Sequence, residues 1–408
     1  MDITLRTMGP DEVRHFLEVT EASFGASLPD DVWEDIKHTV EAERATGAFD
    51  GEAMVGTAGA YSLRFTVPGG EVPGAGVTMV GVLPSHRRRG VMTKMMRAQL
   101  TDIRERGEPI AALWASEDAI YGRFGYGAAS VQALIDIPRH RSTFLDDSPV
   151  RGRIRLLEID EALKVLPGVF DEVRKKTPGM FARSEPWWKH RILRTPGPRE
   201  EGGPVFRAVV EHDHKPTGYA LWQVHQRWEK GVSEGAVEVR EVMATTHRAH
   251  LDLWKMLFGI DLVQSIRTTS HFLPSDHPLQ LMLEQPRYLK FMLSNGLWVR
   301  IVDVAAALEA RSYATEGKLK LGIRDTVFED HSGTWEMDVA GGRARVTKGT
   351  GDADIDLSIA ELGAMYLGQH TFVRLAAAGR IDARDAATIR RADDMWRTEI
   401  APWCPEIF

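Results

Sequence analysis

Between Val77 and Thr93 the chain reads Val-Thr-Met-Val-Gly-Val-Leu-Pro-Ser-His-Arg-Arg-Arg-Gly-Val-Met-Thr, an apolar run followed by three consecutive arginines and a glycine. The chemistry these residue types suit is the binding of phosphate. Arg87, Arg88 and Arg89 bring planar cations that match phosphate oxygens better than lysine does. Gly90 has no Cβ to hold a ligand away from the backbone. The flanking pattern supplies the elements that must position them. Residues 77–82 read as a buried strand, which Pro84 and Ser85 break. After Gly90 the residues Met92, Met95, Met96, Leu100 and Ile103 recur at helical spacing. A strand that turns into a helix in this way aims first-turn N–H groups, and the positive end of the helix, at an anion. Taken alone, three arginines equally fit a solvated basic turn or a nucleic-acid patch. The net charge of -7 and pI near 6.1 argue against a general nucleic-acid binder.

The spacing Val80-x-Val82-x-Pro84-x-x-Arg87-x-x-Gly90 resembles the acyl-CoA-binding motif of the GNAT N-acetyltransferase superfamily, V-x-V-x-P-x-x-[RQ]-x-x-G-x-[GA]. Its last position is Met92 here, not Gly or Ala. GNAT chemistry holds a thioester carbonyl beside a strand N–H, and an amine attacks it. An N–H near Val82 suits the developing oxyanion. The leaving thiolate needs a proton, and Tyr126 is the candidate donor. Tyr121 and Phe124, in the same segment, read as packing aromatics.

Ala111-Ala-Leu-Trp-Ala-Ser-Glu, then Ile120-Tyr-Gly-Arg-Phe-Gly-Tyr126-Gly, together with His86-Arg-Arg-Arg-Gly90, is similar to the Eis family of aminoglycoside N-acetyltransferases along the whole chain. That resemblance implies acetyl-CoA as cosubstrate and no metal. It places the thioester along Val80, Gly81 and Val82, and the pyrophosphate on Arg87, Arg88, Arg89, Gly90, Val91, Met92 and Thr93. Ser116 and Glu117 flank the cosubstrate. The carboxylate of the C-terminal Phe408 becomes the general base, although from its residues alone the tail 402–408 reads as packing across a domain junction. A free α-carboxylate is acidic for that task, so burial or an intervening water must help it. The implied acceptors are aminoglycosides, sometimes at several positions, and other primary amines such as lysine side chains. The implied assembly is a homohexamer. Trp33 fits either the substrate cleft or a core. Glu406 fits either a cationic substrate or solvent. Trp187 and Trp188 read as core, and Cys404 as a small buried hydrophobe.

A chain of 408 residues of ordinary globular composition suits two or three domains. The expected boundaries are 1–145, 146–295 and 296–408. In the first, residues 1–50 read as a strand and two helices, residues 52–60 and 61–67 as two strands, and residues 110–115 as another. Ser116 reads as a helix N-cap, and Val131, Ala133 and Ile135 as the last strand. Residues 146–295 read as a degenerate second copy. Gly56 precedes Val80 by 24 positions, and Gly218 precedes Val242 by the same 24. In place of the cradle stands Ala244-Thr-Thr-His-Arg-Ala-His250, with no glycine and one arginine, so this copy is expected not to bind CoA. His247 and His250 have no third metal ligand at a sensible spacing. Residues 296–408 read as α+β, a helix, a meander of short strands and further helices. The family resemblance makes this a sterol-carrier-protein-like domain.

The first residues, Met1-Asp-Ile-Thr-Leu, lack the pattern of a secretory signal, no apolar run is long enough to span a bilayer, and the single Cys404 allows no disulfide within the chain. A cytoplasmic protein without nucleic-acid partners is expected. The alternative to an acetyltransferase is a non-catalytic CoA-sensing or lipid-binding protein that works through its third domain.

Overall fold

A computed structural model describes residues 3–194, 202–269 and 272–408. The first unit is a mixed sheet with helices packed against it. Its elements are β1 (Ile3–Thr7), α1 (Val13–Ser23), α2 (Asp30–Ile36), β2 (Thr46–Asp50), β3 (Ala53–Val67), β4 (Gly70–Val82), α3 (Val91–Glu105), β5 (Ile110–Trp114), α4 (Asp118–Tyr121) and β6 (Gly127–Ala128). Ala53–Val67 form one continuous strand rather than the two expected over 52–60 and 61–67, because β3 and β4 pair as a long antiparallel ribbon from Gly56↔Val82 to Val67↔Gly70. α1 buries Val13, Phe16, Leu17 and Thr20, one face at helical spacing. α3 likewise buries Val91, Met95, Met96, Leu100 and Ile103 against the sheet.

Two irregularities shape this sheet. The β3–β4 register shifts between Thr57 and Gly59, and Met79 takes a left-handed φ of 54° at that point. β4 and β5 are parallel only over Gly74–Gly76 and Ile110–Ala112. Beyond those pairs the two strands diverge. Among the described residues, 77–82 of β4 therefore have no strand neighbour on that side, and a cleft opens between them and the end of β5.

The second unit repeats this plan. It contains β7 (Val131–Leu134), β8 (Asp136–Pro138), β9 (Arg153–Leu156), α5 (Ile159–Arg174), α6 (Glu185–Trp187), β10 (Phe206–His212), β11 (Lys215–His225), the hairpin β12 (Trp228–Glu229) and β13 (Val232–Ser233), β14 (Ala236–Ala244), α7 (His247–Phe258), β15 (Ser265–Arg267), β16 (Leu273–Pro274), α8 (Leu279–Met282) and β17 (Met292–Asn295). Gly218 pairs with Ala244 and Tyr219 with Met243, as Gly56 pairs with Val82 and Thr57 with Gly81. β14 is parallel to β15 over just Ala236–Glu238, so this sheet also splays.

Strands cross between the units. β8 joins the second sheet through β15. β7 pairs with β16 and β17 in a small separate sheet instead of closing the first one, contrary to expectation. The place beside β5 is taken by β18 (Leu297–Ile301), which also pairs with β6. Leu297, Val299 and Ile301 are fully buried there, and each contributes roughly 1.5–3 kcal/mol of apolar burial.

The third unit comprises α9 (Val304–Ala310), β19 (Gly317–Arg324), β20 (Gly333–Ala340), β21 (Arg343–Lys348), β22 (Ile355–Ser358), α10 (Ile359–Tyr366), α11 (Phe372–Ala377), β23 (Asp382–Ala383) and α12 (Ala386–Trp396). It is not a simple meander, because β22 returns parallel to β19. Arg300 of β18, fully buried, donates to Asp325 Oδ2 at 2.6 Å and so ties the first sheet to this unit.

Candidate active site

The strand–turn–helix read from the motif lines a cavity of about 950 Å3. Val80, Gly81, Val82, Arg87, Arg88, Gly90, Val91, Met92, Thr93, Ser116 and Glu117 all face it, while Arg89 does not line it. Gly90 is the N-cap of α3, with φ 81° and no side-chain cap. A Cβ at Gly90 would touch nothing in the protein, so its glycine serves the left-handed turn rather than close protein packing. The first intrahelical bond runs from Lys94 N–H to Gly90 O. The N–H groups of Val91, Met92 and Thr93 have no acceptor within the helix and stand at its positive end. Arg87 is a strap. Its Nε donates to Val82 O at 3.1 Å and its Nη2 to Ser23 O at 2.5 Å, holding the end of β4 to the end of α1. His86, Arg88 and Arg123 add positive or titratable groups to the wall, and Arg123 was not legible from the motif.

Ser116 does not cap α4. The N-cap is Glu117, and it accepts no side-chain bond. Ser116 and Tyr121 line the same wall, and burial pushes the Tyr121 phenol above its ordinary pKa.

A second, smaller cavity of about 280 Å3 adjoins the first and shares Phe24, Val80, Ser116 and Tyr121 with it. Along one side run Val77, Thr78 and Met79, the part of β4 that has left β5. Across from them stand Glu21 of α1, Tyr61, Trp114, Arg191 and the terminal Phe408. Phe408 is 7% exposed, and its ring packs on Phe181 and Phe65 with centroids 5.6 and 6.3 Å away. A Cβ on Gly76 would come within 3.2 Å of the Phe408 ring and 2.5 Å of Leu63, so this glycine makes room for both.

Three expected site residues lie elsewhere. Tyr126 is fully buried, lines neither cavity, and its hydroxyl has no hydrogen-bond partner among the described residues. Its ring meets Tyr121 edge-on at 6.1 Å, and burial holds its pKa far above the ordinary value. Tyr121, read as packing from sequence, lines both cavities. The signal was present, since one helical turn from Glu117 places Tyr121 on the same side. Trp33 packs beside Phe16, Val13 and Leu28 in the cluster under α1 and lines neither cavity. The Glu406 carboxylate is taken up by Arg183 and Trp187, at 2.7 and 2.6 Å, and does not face the smaller cavity. Cys404 is buried and its thiol donates to Glu406 O. His250 sits 3.3 Å from His277.

Residues 4–129 and 179–301 each match a GNAT acetyltransferase domain family, and residues 304–405 match the sterol carrier protein domain. Along 100% of both chains, this protein is 36% identical to an N-acetyltransferase of Streptomyces avermitilis. It is 35% identical to the N-acetyltransferase Eis of Mycobacterium tuberculosis, over 87% of this chain and 86% of that one. The crystal structure of Eis1 from Mycobacterium abscessus superposes with a TM-score of 0.84 at 30% identity and covers 100% of both chains. GNAT domains use acetyl-CoA, and the larger cavity has the cationic wall and the free helix N-terminus that its diphosphate needs. With two GNAT folds, of which the first holds this cradle, and a sterol-carrier-like third unit, the chain belongs to the Eis family of GNAT N-acetyltransferases.

Proposed function

We propose that this enzyme acetylates primary amines of polycationic small molecules of the aminoglycoside type, or lysine side chains, using Tyr121 as general acid and the Phe408 carboxylate as general base. The observation that carries the proposal is the smaller cavity, which gathers Tyr121, the terminal residue Phe408 and the divergent edge of β4 next to the cosubstrate cleft. The acetyl thioester lies along Val80–Val82, where strand N–H groups freed by the splay meet the developing oxyanion. The amine nitrogen attacks the carbonyl carbon, the C–S bond breaks, and the thiolate takes the Tyr121 proton. The Phe408 carboxylate removes the proton from the attacking nitrogen. The products are the acetamide and free CoA thiol.

Tyr121 replaces Tyr126 in this role because a donor must reach the leaving group, and Tyr126 reaches neither cavity. Burial keeps the Tyr121 phenol protonated at neutral pH, as an acid must be. Among the described residues, Glu21 is the one acidic side chain lining the smaller cavity, and with the terminal carboxylate it favours a cationic acceptor. A hexameric assembly and a cytoplasmic location belong to the same proposal and rest on the family.

The test is thiol release from acetyl-CoA with aminoglycosides, polyamines and lysine peptides, in the unaltered protein and in one with a glycine added after Phe408. Release that the added residue abolishes supports the mechanism. Release that survives it removes the terminal carboxylate from the mechanism. CoA binding without turnover of any amine would favour the non-catalytic alternative.

A further inference from the structure

The second unit lacks a phosphate cradle, yet it repeats the splayed sheet of the first. Glu241 stands on β14 just past Glu238, the last residue paired with β15. That is the stretch equivalent to residues 77–80 of β4, which line the cavity holding Phe408. Glu241 binds Arg183 in bidentate fashion, Nη1 to Oε1 at 3.0 Å and Nη2 to Oε2 at 2.5 Å. The Arg183 side chain is wholly buried, with Phe170 and Trp188 against its guanidinium at 3.8 and 4.7 Å. Its remaining Nε donates to Glu406 of the C-terminal tail. The other Glu406 oxygen accepts from Trp187 Nε1.

We infer that the divergent groove of the second unit has become a socket for the chain's own tail, and that Arg183 and Trp187, through Glu406, are positioning residues for the Phe408 carboxylate. The inference rests on the proposal that this carboxylate is the general base.

The charges favour a fixed position. One guanidinium serves two carboxylates, and each carboxylate also accepts from a neutral donor, Tyr219 on Glu241 and Trp187 on Glu406. A buried carboxylate held by two such bonds has little freedom to move, because leaving either donor unpaired in the interior is costly. One residue separates Glu406 from Phe408, so the terminal carboxylate lies within about 7–8 Å of chain from the anchored Cα. The intervening residue is held too. Ile407 O accepts from Arg191 Nη2 at 3.2 Å, and Arg191 Nη1 donates to Tyr61 of β3 at 2.9 Å. The Phe408 ring closes the series between Phe65 and Phe181. The base is thus set by side chains of the second unit while the acid and the cosubstrate are set by the first.

The experiment compares Glu406→Ala, a chain lengthened by one glycine after Phe408, the two together, and the unaltered protein. Glu406→Ala leaves Arg183 paired with Glu241, so the core of the second unit keeps its charge balance. We expect kcat with an aminoglycoside acceptor to fall between about ten- and a hundred-fold, as a misplaced catalytic group does. KM for acetyl-CoA stays unchanged. In the lengthened chain, whose slow residual release is read with enzyme in excess over acetyl-CoA, Glu406→Ala causes no further loss. Trp187→Phe, which removes one N–H and keeps a ring, gives a smaller loss in the same direction and the same absence of effect in the lengthened chain. Unchanged kcat in Glu406→Ala and Trp187→Phe, beside a lengthened chain that is inactive, overturns the socket and leaves the terminal base standing. Equal losses in both backgrounds overturn it as well, since Glu406 would then act on stability and not through the terminus. A fully active lengthened chain refutes the terminal base itself, and the socket's role with it.

Discussion

Replacing Tyr121 by phenylalanine removes one oxygen from the wall shared by the two cavities, and replacing Tyr126 removes one from the sealed interior. The two substitutions are chemically identical and five residues apart in the chain, yet the structure gives them opposite consequences. If Tyr121 supplies the proton for the leaving thiolate, its loss costs about 10²–10⁴ in kcat, or about 3–5 kcal/mol of transition-state stabilisation. Among the described residues the Tyr126 hydroxyl has no partner to lose. Burying it unpaired costs about 1–3 kcal/mol, so Tyr126→Phe should leave kcat unchanged and raise the melting temperature or leave it alone. The assay is steady-state thiol release at saturating amine, with thermal melts of the same preparations. A Tyr126→Phe enzyme that loses a hundred-fold while Tyr121→Phe stays active would refute the inference from cavity walls to proton donor.

Other outcomes follow from the same geometry. Arg87→Ala frees the end of β4 from α1, and because bonds from a charged donor are worth about 1.5–3 kcal/mol each, KM for acetyl-CoA should rise at least about ten-fold. Arg87→Lys should not restore it, since an ammonium lacks the fork that spans both carbonyls. An unchanged KM in Arg87→Ala would speak against the strap. Gly76→Ala sets a methyl group against Leu63 and the Phe408 ring, so kcat should fall while KM for acetyl-CoA holds, with about 1–3 kcal/mol lost from stability. Full activity in that variant would mean the ring has room the structure does not give it.

Burial works against the ionisation of Asp325, but the bond with His331 and the charge of Arg300 outweigh it and hold the pKa at about 2. A carboxylate lowered in this way adds stability that is fully present above its unfolded pKa of about 3.9 and is lost as pH falls through 2. Urea midpoints measured from pH 5 down to 2 should therefore drop more steeply in the unaltered protein than in Asp325→Asn, and parallel curves would refute the assignment.

The cosubstrate cradle was legible in the sequence because it is local. Strand, turn and helix are contiguous from Val77 to Ile103, their contacts are set by period and by Gly90, and no distant segment is needed to bring Val80, Arg88 and Thr93 to one wall. The duplication was legible for a similar reason, since the spacing from Gly218 to Val242 preserves a register that the backbone then repeats. Only the tertiary structure decided what lies across each face. Periodicity can place Tyr121 and Tyr126 on a short segment but cannot say which of them meets a cavity and which meets a core. It cannot tell that Leu297–Ile301 returns from far along the chain to sit beside β5, because a strand's hydrogen bonds accept any neighbour with a matching edge. Nor can it tell that Glu406 finds Arg183 rather than a substrate. A lone carboxylate near a terminus reads as solvated, and it becomes a strut only where a buried guanidinium is waiting for a second partner.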